Sequence, residues 1–207
     1  AAACVGLGVF TARSSADRPA PSTLVYAYEH GSGAAVWATS PAEDDAPTES
    51  RAWAVEHAGA GFTETRDLSD FAYPMGVVPV ARAPVVEATP PEVLILVDSV
   101  MQSERHVSLG IRSRIGAERL GFQFGDATRL LSINGRAVGG AEALRAVDHW
   151  GIPEGSVVLE VSLPASDAID VHVVEHLLRP EELLGEGTFE RPDDMAPDVN
   201  RMSDRAM

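Results

Sequence analysis

Apolar and polar residues alternate along much of the second half of the chain, from Val107 to Ile111 and again from Leu120 to Phe124. A repeat of two residues is typical of a β-strand with one buried face, because successive side chains point to opposite faces of a sheet. Further strands are predicted at Val93–Val97, at Val157–Leu163, and where Ile169, Val171 and Val173 alternate with other residues.

Short strands at a spacing of about ten residues are typical of all-β domains. The chain is therefore predicted to be mainly β, as an antiparallel β-sandwich or a jelly-roll-like domain with one or two short helices. Two hairpins are expected within it. Thr23–Tyr28 and Ala34–Thr39 flank a glycine-containing turn, and Leu131–Ile133 leads into Asn134-Gly135, a dipeptide that favours a two-residue hairpin turn.

Two segments have helical features. Thr48–Ala58 is predicted to form a helix, with Thr48 as its cap and Gly59 at its end. Ala141–Val147 is predicted to form a helical turn or two. Gly61–Pro91 carries five prolines. Because proline cannot donate a backbone hydrogen bond, we expect loops and edge strands in that segment.

The two ends of the chain differ from its middle. Residues 1–20 begin with ten apolar residues, too few to span a bilayer, and continue as a polar linker. The apolar start is interpreted as the end of a membrane helix, or alternatively as a lipoprotein junction at Cys4. Residues 21–180 are assigned to a β-rich accessory domain, and the acidic, proline-containing residues 181–207 to a tail that is surface-bound or disordered.

Charge excludes some classes of partner. The formal net charge is −15, and all 16 basic residues are arginine. No basic stripe is present, so neither nucleic acid nor an anionic membrane surface is an expected partner. Cys4 is the only cysteine, so the chain cannot form an internal disulfide or a cysteine-based zinc site.

His172-Val173-Val174-Glu175-His176 matches the H-x-x-E-H motif of inverted zincins. That chemistry needs both histidines on one helical face as zinc ligands and the glutamate as general base. The alternation before His172 predicts a strand instead, which would separate the two histidines too widely for one tetrahedral zinc. No metal site is therefore predicted; His172, Glu175 and His176 are candidates for metal ligands, but an incidental match to the motif is the preferred interpretation. No catalytic or cofactor-binding residue is predicted.

Arg119-Leu120-Gly121-Phe122, followed by Gly125-Asp126, resembles a PDZ domain, where such a loop binds a peptide's C-terminal carboxylate. The spacing is shorter than in PDZ domains, and an ordinary β-meander is the alternative. Trp37, Trp53 and Trp150 would form a sugar-binding platform if they were exposed, although tryptophan on strands is more often part of a core. A stand-alone peptide- or sugar-binding module, as a lipoprotein, is therefore the alternative function.

A wider resemblance rests on several short motifs that occur in order. They are Pro21–Tyr26 with Ala35–Ser40, Asn134–Val138, Trp150–Leu163, Ile169–Val174, and Arg191–Pro197 with Ser203-Asp204. Together they resemble the C-terminal domain of membrane-bound zinc aminopeptidases of the endoplasmic-reticulum metallopeptidase (Fxna) type, in the aminopeptidase Y superfamily. The chain departs from that pattern at Glu175-His176-Leu177, where the family has Asp-Arg-Ser-Tyr.

The resemblance implies a non-catalytic, membrane-associated domain outside the cytoplasm. Its partners would be the N-terminal peptidase domain and the membrane helices of the same polypeptide. The zinc ligands of such a metallopeptidase lie in that N-terminal domain, so this chain would hold no cofactor of its own. The reaction of the whole protein would be aminopeptidase-type peptide hydrolysis.

Overall fold

The computed structural model describes residues 17, 19–39, 48–59, 61–69, 76–138, 144–151, 156–177, 181–186, 189–197 and 205–206. Strands dominate this part of the chain, so the prediction of a mainly β protein is confirmed. The helices are α1 (Thr48–Ala58) and α2 (Glu181–Leu184). The strands are β1 (Ala20–Ser22), β2 (Val25–Glu29), β3 (Ala34–Ala38), β4 (Glu64–Asp67), β5 (Val77–Arg82), β6 (Glu92–Met101), β7 (Glu104–Arg112), β8 (Arg119–Phe124), β9 (Arg129–Ile133), β10 (Arg136–Ala137), β11 (Ala146–Trp150), β12 (Val157–Pro164), β13 (Val171–His176), β14 (Met195–Pro197) and β15 (Arg205–Ala206).

Strands β6 to β13 form two antiparallel sheets that enclose one apolar interior. The wider sheet has the order β10-β9-β12-β7-β6 and the narrower one the order β11-β8-β13. The interior is filled by the alternating positions predicted from Val107 to Ile111 and from Leu120 to Phe124, none of them more than 6% exposed. Residues from β9 and β12 complete it. The alternation of side chains across each strand thus produces the predicted sandwich.

A third antiparallel sheet packs beside the sandwich, and β15 joins its edge in parallel. Its order is β15-β2-β3-β5-β4. One face carries Tyr26 and Trp37, which pack with Trp53 of α1. Leu177 belongs to the same cluster and follows β13 directly, so it ties this sheet to the sandwich. The predicted β2–β3 hairpin and the predicted helix Thr48–Ala58 are both confirmed, and the helix ends at Gly59 in a left-handed conformation (φ 63°).

Strand β5 corrects the expectation that Gly61–Pro91 forms only loops and edge strands. β5 contains Pro79, yet it lies between β3 and β4. The carbonyl of Pro79 accepts a hydrogen bond from the backbone N–H of Thr39, just past the end of β3. The N–H and C=O groups of one strand residue point the same way, so the missing N–H faces the end of β3. Only a terminal hydrogen bond is lost there, and pairing with β4 is intact.

The segment after β9 confirms one prediction and corrects another. Asn134 and Gly135 both have positive φ, 50° and 73°, and form the predicted two-residue turn between β9 and β10. Ala146 and Val147, predicted to be helical, belong instead to strand β11, which pairs with β8. The rest of that predicted helix, apart from Leu144 and Arg145, lies outside the described residues.

Several of the described residues after position 180 pack against the N-terminal sheet. Phe189 is only 6% exposed and packs edge-on against Trp37. The indole N–H of Trp53 donates to the carbonyl of Glu190, and the Arg191 guanidinium lies 4.4 Å from the Trp53 ring centroid. β14 pairs with β1, and β15 with β2. This segment thus covers the aromatic face of the N-terminal sheet, and its last strand, β15, joins the edge of that sheet.

None of the helices formed by the described residues is long and apolar enough to cross a membrane. The apolar start of the chain, Ala1–Phe10, and Cys4 lie outside the described residues. Their interpretation as the end of a membrane helix or a lipoprotein junction stays a prediction.

The unequal widths of the sandwich sheets leave the edge strand β6 uncovered. Val93 and Ile95 of β6 lie opposite the buried Ile111 and Leu109 of β7, so they share the face that points toward the narrower sheet. They are nevertheless 50% and 58% exposed. A sheet of three strands cannot cover a sheet of five, and β6 is the strand of the wider sheet that stays uncovered.

A matched pair of isoleucine variants tests this arrangement. Ile111→Ala is expected to lower the free energy of unfolding by about 2–5 kcal/mol, because it opens a cavity in the interior. Ile95→Ala, on the neighbouring strand, is expected to cost less than about 1 kcal/mol, because its side chain stays largely in water. Urea unfolding of the two variants at low protein concentration measures both. Equal losses would mean that Ile95 is buried in solution.

Candidate functional site

A cleft of about 420 Å³ lies between the N-terminal sheet and the end of the sandwich. β2, the turn after it and β4 form one wall, and β13 forms the other. Ile115, Leu177 and Leu183 add apolar surface. The volume is within the range of small-molecule sites, and the mixture of apolar walls with a few polar groups is also typical of them.

The outer part of the cleft holds an ion pair. Arg66 donates to Glu29 over 2.9 Å, and the Ser32 hydroxyl donates to the same carboxylate over 2.8 Å. These hydrogen bonds hold the pKa of Glu29 below its usual value, that from Arg66 having the larger effect. Tyr28 stands beside them, with its ring edge-on to His30 at a centroid distance of 4.9 Å. Arg66 is thus already committed to a carboxylate of the cleft.

Glu175 is the buried polar group of this cleft. It is 7% exposed and lies near the end of β13, opposite Leu120 of β8. Burial raises the pKa of its carboxyl, and a hydrogen bond with Ser113 only partly offsets that effect. Its Oε1 atom has no hydrogen-bond partner in the described part of the chain. A buried carboxyl oxygen without a donor is uncommon and costs stability.

The H-x-x-E-H residues do not form a zinc site in this geometry. β13 is a strand, so His172 and His176 lie on one face with Cα atoms separated by about 13 Å. The His172 side chain is 70% exposed, whereas His176 is fully buried. Glu175 points to the opposite face of the strand. Among the described residues, no group of three or more His, Cys, Asp or Glu side chains could hold a metal ion.

The segment predicted to resemble a PDZ carboxylate-binding loop is instead a central strand. Leu120, Gly121 and Phe122 lie in β8 and are buried. β11 pairs with β8 on one side and β13 pairs with it on the other. The backbone N–H groups are therefore used within the sheet and cannot cradle a peptide carboxylate. Leu-Gly-Phe followed closely by Gly-Asp is here a strand and the turn after it.

The three tryptophans do not make a common platform. Trp37 and Trp53 belong to the core of the N-terminal sheet, and only Trp150 is exposed, at 51%. Trp150 borders an open depression that Asn134 and His149 also line. The buried Arg119 guanidinium lies 5.0 Å from the Trp150 ring centroid. Arg119 also pairs with Asp148, a contact that the sequence did not predict.

The edge strand β6 is a second candidate surface, and an apolar one. Its large apolar residues are between 50% and 67% exposed: Val93, Leu94, Ile95, Leu96, Val97, Val100 and Met101. Contiguous exposed apolar patches larger than a few hundred Å² are rare on monomeric proteins and mark interaction sites. The sequence signal for it is the absence of any lysine, arginine or proline from Glu92 to Met101.

Replacement of Glu175 by glutamine tests whether its carboxyl is buried and has a raised pKa. Because its pKa is raised in the folded state, the folded chain keeps the proton at a pH where the unfolded chain has lost it. The protonated carboxyl contributes its full stability at a pH below the ordinary glutamate pKa of about 4.5. This contribution is lost as the pH rises through the higher pKa of the folded chain. Glu175→Gln is therefore expected to gain stability relative to the native chain between pH 4 and pH 8.

Urea unfolding at both pH values measures this difference, with Glu160→Gln, an exposed glutamate of β12, as the matched control. A difference between Glu175→Gln and the native chain that does not change with pH would contradict the burial of an ionisable group there.

Comparisons of the chain with protein-family models, with curated proteins and with solved structures find no match. The likeness to the zinc aminopeptidase family therefore rests on the sequence motifs alone.

Proposed function

We propose that this chain is a non-catalytic β-domain that binds another part of its own polypeptide through the edge strand β6. The ordered motifs support assigning that polypeptide to the membrane-bound zinc metallopeptidases, with this domain outside the cytoplasm. The partner is then the N-terminal peptidase domain together with its membrane helices. Zinc and the peptide-hydrolysing groups belong to that partner, and this domain contributes packing and positioning.

The observation that carries the proposal is the exposure of β6 on both of its faces. Leu94 lies opposite Gly110, on the outer face of the sheet, while Val93 lies opposite Ile111 on the inner face. Leu96 is the extra residue of a bulge, and its Cδ1 atom would lie 3.3 Å from a Cβ added at Gly110. Both faces of the strand thus carry exposed apolar side chains, as expected of a surface that contacts a partner.

The free edge of β6 is also suited to accept another strand. Edge strands are usually protected by lysine, by proline, or by charges pointing inward. β6 has Asp98 opposite Val107, but both carboxylate oxygens of Asp98 are bonded by Arg105, at 2.8 and 2.6 Å. Glu92 is likewise held by two arginines of the same chain. No uncompensated charge on β6 opposes pairing, so an extended, apolar segment is the expected partner.

A free-standing sugar-binding module is the second candidate. Trp150 favours it, because the residue is 51% exposed and the buried Arg119 guanidinium lies 5.0 Å from its ring centroid. Asn134 and His149 supply hydrogen-bonding groups at the same depression.

The coding sequence upstream of Ala1 distinguishes these two functions. If the chain is part of a membrane-bound metallopeptidase, the reading frame upstream continues into hydrophobic spans. A domain with His, Asp and Glu zinc ligands precedes those spans. A frame that instead closes within about thirty codons, at a signal peptide, would support the free-standing module and contradict the proposal.

Binding in trans tests the role of β6 itself. The upstream domain, produced separately, is expected to bind the 207-residue chain. Ile95→Lys should weaken that binding at least tenfold, because it places a charge in the centre of the apolar edge. Val85→Lys is the matched control, since Val85 is 53% exposed but lies outside β6. Titration calorimetry measures both, and equal affinities would exclude β6 as the docking surface.

A further inference from the structure

The cleft beside β13 has a chemical character that the docking of β6 does not use. Its volume of about 420 Å³ suits a small ligand rather than a protein segment. Apolar side chains such as Ile115, Leu177 and Leu183 line part of it. Its polar lining residues include Glu29, Asp67 and Glu175. A ligand for this cleft therefore needs a short apolar body and one polar end.

Three carboxylates, those of Glu29, Asp67 and Glu175, line the cleft beside one arginine and two histidines, His30 and His172. Arg66 is the only arginine that lines it in the described part of the chain, and Glu29 already pairs with it. Asp67 and Glu175 then remain as acidic groups. An anionic ligand would meet these carboxylates without a free arginine to bind it, whereas a cation would be attracted by them and by the net charge of −15.

The buried carboxyl of Glu175 is a second, independent observation that favours a ligand in this cleft. Its side chain is more than nine-tenths buried, and one of its oxygens has no hydrogen-bond donor among the described residues. Most buried polar atoms in folded proteins are satisfied, so an unsatisfied oxygen in the lining of a cavity indicates a missing donor. An N–H group of a cationic ligand would form a charge-assisted hydrogen bond of the strong kind there.

Aromatic rings add to this preference at the mouth of the cleft. Tyr28 and His30 stand edge-on at a centroid distance of 4.9 Å, and both line the cavity. The face of a tyrosine ring attracts an ammonium or guanidinium group, and this attraction increases as water is excluded.

From these features we infer that the cleft binds a small organic cation, a primary ammonium or guanidinium on a short apolar stem, with Glu175 as its counter-ion. This inference does not depend on the docking proposed for β6, because β6 contributes no residue to the cleft. The same chemistry is offered by a free alkylamine and by a lysine or arginine side chain of a peptide.

The experiment uses n-butylguanidinium chloride as the probe, with 1-pentanol as a neutral ligand of similar size. Both are titrated into the whole chain at pH 8 and followed by amide chemical shifts. Saturable shifts in β2, β4 and β13 are expected for the cation, with at least tenfold weaker binding of the alcohol. Binding should also weaken as salt is added, because the attraction is electrostatic.

Glu175→Gln should weaken binding of the cation at least tenfold, whereas Glu160→Gln, on a strand that does not line the cleft, should leave it unchanged. The comparison of cation and alcohol on the native chain remains decisive even if the Glu175 variant does not fold. Equal binding of cation and alcohol, no saturable shift up to about 50 mM, or unchanged affinity in a folded Glu175→Gln variant would overturn the inference. A lysine-containing tripeptide that binds tighter than the free guanidinium would identify a peptide side chain as the source of the cation.

Discussion

The packing of a five-stranded sheet on a three-stranded one constrains the rest of this structure. The sandwich interior is filled by alternating side chains of β7 and β8, together with residues of β9 and β12. The narrower sheet covers the central strands of the wider one and leaves its edge free. β6 is therefore exposed because of the topology, not because its residues are polar. Its apolar side chains and paired carboxylates are the features of an edge that meets another surface.

The N-terminal sheet differs from the sandwich, because the last part of the chain covers its apolar face. Helix α1 packs on its aromatic face through Trp53. Phe189 fills that face beside Trp37, and Arg191 stacks on Trp53 while its Nε donates to the hydroxyl of Ser22 over 2.6 Å. Sequence-distant segments thus meet on one sheet, and Leu177 links the same cluster to the sandwich. The cleft with Glu175 lies at this junction. The site that we infer for a cation therefore exists only because the N-terminal sheet packs beside the end of the sandwich.

Much of the fold could be predicted from local pattern, whereas the surfaces could not. Alternation identified β7, β8 and β13, and a single dipeptide identified the turn at Asn134. These features depend on neighbouring residues, which a sequence displays directly. The strand pairing of β5 was missed because Pro79 lies opposite the end of β3, where its missing N–H costs little pairing. Where β3 ends cannot be read from the residues around Pro79. Strand β11 was missed because its partner, β8, is distant in sequence.

The candidate sites show the same limit. Glu175 was identified only through a zinc motif, and its geometry as part of a strand does not support that chemistry. Its surroundings come from other parts of the chain, because it lies opposite Leu120 of β8 and forms a hydrogen bond with Ser113, and no local pattern contains them. The apolar run of β6 was recognised as a strand, but its exposure follows from the unequal widths of two sheets. Predicting a site here required the three-dimensional arrangement of segments that are far apart in the chain.

Backbone amide exchange along β6 tests the docking of this edge most directly. It would be measured in the isolated chain and in the complete polypeptide that contains it. In an antiparallel pair, the N–H groups of an edge strand point alternately toward its neighbour and away from it. If β6 docks as proposed, the amides that point away from β7 exchange fast in the isolated chain and at least about a hundredfold more slowly in the complete polypeptide. Fast exchange of those amides in both would contradict docking at β6.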